Sequence, residues 1–138
     1  MNSLLHAHSG WRYLVIAACA VALVNLLSGT LKPRAWRPAD RVMTLAFVIA
    51  VDLQLLMGLV LWIWKHLADV PQRAPLEHLI TMFLVLVLAH SAARQTKRAE
   101  LDSDKFKQAF SRLLIASIVM GVGVWRITSA TMDSSAAG

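Results

Sequence analysis

Four long apolar stretches, at 11–28, 42–64, 76–91 and 110–127, are separated by short polar segments at 30–41, 65–75 and 94–107. Crossing a hydrocarbon core about 30 Å thick takes about 20 mostly apolar residues. Each stretch meets that length once its semi-polar ends are counted. Backbone in lipid must satisfy its own hydrogen bonds, so the stretches are expected as helices. The first two polar segments carry proline pairs, Pro33 with Pro38 and Pro71 with Pro75, while the third is charged and free of proline. Each is expected as a turn or short helix at a membrane surface. The predicted fold is all-α, an integral membrane four-helix up-down bundle over residues 1–128, followed by a flexible tail at 129–138 rich in Ser and Ala.

Composition fits. Of the 138 residues, 57% are apolar and only 16% charged, against about 25% charged in soluble domains. The net charge of +6 does not imply nucleic-acid binding, because the cations lie between apolar runs and not on one face of a soluble domain. Cys19 is the single cysteine, which excludes an internal disulfide and any cysteine-built metal cluster. The Ile16-Ala17-Ala18-Cys19 run resembles a lipoprotein cleavage box, but Arg12 stands too close before it for a signal peptide's apolar region. The first stretch is expected as a retained helix.

The distribution of cations predicts orientation. The first segment carries Lys32, Arg34, Arg37 and Arg41, and the third carries Arg94, Lys97, Arg98, Lys105, Lys107 and Arg112, whereas the other side has only Arg12, Lys65, Arg73 and Arg126. By the positive-inside rule the first and third segments are cytoplasmic and both termini lie outside. Trp11, Tyr13, Trp62, Trp64 and Trp125 then form one aromatic girdle at the outer interface, with Trp36 on the inner side. A bacterial cytoplasmic membrane is the expected location. The expected partners are the lipid bilayer and either other membrane subunits or further copies of the chain.

Polar residues within spans are costly and invite a functional reading. His8 and His78 both stand near the outer start of their helices, which run in the same direction in an up-down bundle. Two imidazoles at one depth suit a haem iron, a metal ion or a chlorophyll magnesium. Arg12 and Arg126 then offset the charge of haem propionates. Deeper, Asp52 lies as far before Trp64 as His90 lies after His78, which places both about 18 Å down at a rise of about 1.5 Å per residue. They are expected as a buried polar pair. Asp52 and Gln54 point about 200° apart on one helix, so a single bundle must expose one of them and a second chain or a ligand is expected to cover it. His78 and His90 are out of phase on their helix, which argues against two stacked haems. Ser117 and Gly121 form a small-xxx-small contact motif. Met57 and Met120 are read as packing residues. Phosphate-loop, serine-elbow and zincin motifs are absent from the sequence.

Four segments together, His6-Ala7-His8-Ser9-Gly10-Trp11-Arg12-Tyr13, Asp52 through Gln54 and Gly58 to Trp62, Glu77-His78, and Ala89-His90-Ser91, resemble small bacterial four-helix membrane proteins labelled cytochrome b-like. The resemblance covers roughly residues 3–126. It implies haem b as cofactor and functional positions at His8, Gln54, Gly58, Glu77, His78 and His90. The family pattern often has histidine at the position of Asp52. Aspartate there is a poor b-haem ligand, so an inner haem is not expected. The expected function is that of a membrane component of an electron-transfer system, either a small b-type haem protein or an accessory subunit of a respiratory or photosynthetic complex. The alternatives are a non-redox structural or assembly subunit and a small proton-coupled carrier.

Overall fold

In a computed structural model, which describes residues 2–68 and 73–136, the chain folds into four helices: α1 (Asn2–Leu31), α2 (Pro38–Leu67), α3 (Arg73–Arg98) and α4 (Asp102–Ala136). All four are long and apolar enough to cross a membrane. Pro71 and the rest of 69–72 lie outside the described residues, as do Ala137 and Gly138. The helices pack in a ring, α1 on α2, α2 on α3, α3 on α4 and α4 on α1, so that α1 and α3 stand diagonally across the bundle. The start of α1, the end of α2, the start of α3 and the end of α4 share one end, here the terminal end; the α1–α2 and α3–α4 connections form the far end.

The helices outrun the predicted boundaries. The charged stretch expected to form a surface segment at 94–107 is almost wholly helical, because α3 continues to Arg98 and α4 begins at Asp102. Lys, Arg and Gln are good helix formers. Lys97 and Arg98 in the last turn of α3 and Asp102 and Asp104 in the first turn of α4 carry the signs that the helix dipoles favour. Helix α4 also enters the segment 129–138 expected as a tail and is helical as far as Ala136.

The interior follows one rule in every helix. Buried positions step alternately by four and three residues: Val15, Cys19, Ala22, Leu26 and Gly29 on α1; Thr44, Phe47, Val51 and Gln54 on α2; Met82, Val85, Ala89, Ala92 and Thr96 on α3; Phe106, Ala109, Leu113, Ala116 and Met120 on α4. That is the heptad seam of a coiled bundle. The seam is rich in Ala, whereas Leu, Ile and Val crowd the outside, as expected where helices gain from close backbone approach and not from escaping water. Gly29 shows how close. A Cβ there would overlap the Phe106 ring. The Ser117 and Gly121 motif does not take part, since a Cβ on Gly121 would meet nothing.

The far end is locked by charge. Asp40, in the first turn of α2 and only 2% exposed, accepts from Arg34 Nη1 at 2.7 Å and Nη2 at 2.7 Å, from Asn25 Nδ2 at 2.9 Å and from the Arg37 backbone N–H at 2.7 Å. Its carboxylate, hydrogen-bonded to Arg34, raises the guanidinium pKa above its ordinary value. Arg34 also lies over the Phe106 ring, 4.6 Å from its centroid. Trp36 packs tilted against the same ring, with centroids 4.8 Å apart, and donates its backbone N–H to Asp102 at 3.0 Å. The α1–α2 connection is thereby fastened to α4.

Candidate functional site

At the terminal end the seam opens into a cavity of about 410 Å³, continuous in its lining with a side space of about 140 Å³. His8, Gln54, His78 and Met82 line both. The seam explains why. Continued outward on the same alternate spacing, α1 leads from Val15 to His8, α2 from Gln54 to Gly58, and α3 from Met82 to His78. Three polar side chains therefore point into the bundle at one level.

His8 and His78 approach each other across the diagonal, with ring centroids 6.5 Å apart and ring planes at 90°. Gln54, 5% exposed, donates from Nε2 to the His8 carbonyl oxygen at 3.1 Å, and the same nitrogen lies 3.3 Å from His8 Nε2. The His78 ring is hydrogen-bonded to the Gly123 backbone of α4. Each imidazole is thus held through one nitrogen. The other, Nδ1, is buried and without a hydrogen-bond partner in both rings, and so is Gln54 Oε1. Three orphaned polar atoms on residues that line one cavity are costly unless a ligand or water meets them. Gly58 leaves room for the arrangement, since a Cβ there would already stand 3.1 Å from His8 Cε1.

Arg12 and Lys65 line the same cavity, and no carboxylate lines it among the described residues. Arg12 also donates to the Tyr13 hydroxyl at 3.0 Å. Arg126, expected beside Arg12 as a partner for propionate, is engaged elsewhere: its Nη2 donates to Glu77 Oε2 at 2.9 Å across α3 and α4, with both side chains exposed. Lys65 takes its place at the cavity, a position that the sequence reading counted only toward orientation. The remaining histidines of this end are peripheral. His6 is exposed, and His66 stacks on Trp62 at 5.3 Å.

Asp52 and His90 meet across α2 and α3, with His90 Nε2 and Asp52 Oδ1 2.8 Å apart. They are not buried, however: the side chains are 40% and 52% exposed and lie on the outside of the bundle. The helical phase separates Asp52 from the seam that Gln54 occupies, so only one of the two can turn inward.

Among the described residues, no group of three or more His, Cys, Asp or Glu side chains is placed to hold a metal ion. A haem iron needs only two ligands from the protein, because the macrocycle supplies four. Two imidazoles sharing one metal atom at about 2 Å, each with its centre roughly 1.2 Å behind the ligating nitrogen, have centroids about 6.4 Å apart. The observed separation of 6.5 Å fits. A free nitrogen on a ring whose other nitrogen is bonded to the protein is also how metal-ligating histidines are oriented. Comparison of the chain with protein-family models, with curated proteins and with solved structures finds no match.

Proposed function

We propose that the chain is a multi-pass protein of the bacterial cytoplasmic membrane, with both termini outside, that carries electrons by means of one b-type haem held between His8 and His78. The observation that carries this reading is the convergence of the two imidazoles from diagonal helices on one cavity, each with a buried nitrogen left unpartnered. The cavity's volume of about 410 Å³ falls in the range of about 300–1,000 Å³ typical of small-molecule sites. Bound there, the haem would supply a one-electron couple. The chain's own residues have separate tasks. Gln54 fixes the His8 ring, the Gly123 backbone fixes His78, and Arg12 and Lys65 offset carboxylate charge. The apolar remainder of the lining, Leu5, Val15 and Met120 among it, excludes water and so favours the less charged oxidation state.

The reduced-minus-oxidised absorption spectrum of protein purified from haem-replete cells tests the reading. A low-spin haem signal is expected, lost in both His8→Ala and His78→Ala while helical content is retained. Protein that purifies colourless would overturn it and leave a structural or assembly subunit.

A further inference from the structure

Away from the cavity and the helix ends, the outward faces of α2 and α3 are apolar except at one place. Ile49 and Leu56 on α2 and Phe83 and Val87 on α3 are all exposed. Asp52 stands between Ile49 and Leu56, and His90 stands one turn beyond Val87, both half exposed despite their mutual bond. Asp52 occupies the midpoint of α2, the farthest point from either end. The bond employs Asp52 Oδ1 and His90 Nε2 only, so one carboxylate oxygen and one ring nitrogen remain for a partner from outside.

We propose that this face is the interface of a symmetric homodimer, with the two Asp52–His90 pairs closing on each other at the two-fold axis. In an isologous contact each residue of one copy meets its counterpart set on the other. An acceptor on α2 beside a donor on α3 is self-complementary under such an axis. The free oxygen of each Asp52 accepts from the free nitrogen of the other copy's His90, because a doubly protonated imidazole donates from both nitrogens. Two carboxylates and two imidazolium rings then form a cluster of zero net charge, which a low-dielectric setting requires. The four apolar side chains flank the cluster. A second copy brings this complement by symmetry, whereas an unrelated subunit would need its own matching acid and base. The inference rests on the membrane reading but not on the haem.

Disulfide cross-linking in isolated membranes tests it, with fractionation of the same samples reporting membrane insertion separately. In full-length chain carrying Cys19→Ser, single cysteines replace Ile49, Leu56, Phe83 or Val87 on this face, and Val24 or Ile118 on α1 and α4 as controls. At low expression, mild oxidation should give a product with the mass of two chains from the α2–α3 set, at about tenfold higher yield than from the controls. Adding Asp52→Leu with His90→Leu should abolish the excess, and the exchange Asp52→His with His90→Asp should restore it. Equal yields on both faces, no product from the α2–α3 set, or a product of some other mass would each overturn the dimer, and full cross-linking without the polar pair would overturn the closing of the two pairs on each other. The cysteine set leaves the pair intact, so misfolding of the paired variants cannot decide the outcome.

Discussion

Asp40 and Asp52 lie three helical turns apart on α2 and illustrate two ways for a carboxylate to exist in an apolar protein. Asp40 is sealed in and accepts four hydrogen bonds, two of them from one guanidinium. Hydrogen bonds to a charged group contribute about 1.5–3 kcal/mol, and removing Asp40 loses all four while leaving Arg34, which is partly exposed, to water. Asp40→Ala should therefore lower thermal stability in detergent by at least that amount. Arg34→Ala should cost less, since Asn25 and the Arg37 N–H still reach the carboxylate. A thermal melt followed by circular dichroism distinguishes the two. Asp52 has a single partner and an open side. A charged residue turned toward lipid at a helix centre costs roughly 2.5–3.5 kcal/mol on insertion scales, and that cost is the pressure for covering it.

Between helices, the Asp52–His90 bond joins α2 to α3 on the outside while the heptad seam joins them within. Buried polar contacts between membrane helices contribute on average about 0.6 kcal/mol in double-mutant cycles, and exposure to water in detergent weakens an ion pair further. Asp52→Leu and His90→Leu should accordingly destabilise non-additively by a few tenths of a kcal/mol in detergent and by more in a bilayer. Strict additivity in both would separate the residues and remove the proton-carrier alternative with them. Element positions were legible because length and apolarity alone decide a span. The match in depth of His8 with His78 and of Asp52 with His90 was legible too, since helical rise converts residue counts into distance. Rotation about the helix axes was not. Helices apolar all round give the hydrophobic pattern no phase, and the information lay instead in the alternate spacing of the seam, which on α2 runs through Thr44, Phe47 and Val51 to Gln54 and not to Asp52. The diversion of Arg126 to Glu77 was equally hidden, because two exposed side chains on different helices leave no mark in either sequence segment.

At the scale of the whole molecule, the chain has two chemically distinct ends. The far end carries the Asp40 lock and most of the cations, and the terminal end carries the cavity and the exposed aromatic rings of Tyr13, Trp64 and Trp125. If the cation-rich end faces the cytoplasm, a reporter active only there should work when inserted within 100–104 and fail when fused after Ser134; the reverse result would invert the proposed orientation. The lock also has a consequence in time. Its bonds between side chains join residues no more than 15 apart in sequence, from Asn25 to Asp40, whereas Trp36 waits for an acceptor 66 residues later. The contacts between His8 and Gln54 likewise lie within the first two helices. During synthesis the first hairpin can therefore close early and present one half of the cavity, already oriented, before α3 delivers His78. On the proposed reading, a rigid prosthetic group would be captured between two docking hairpins and would not have to thread a finished bundle.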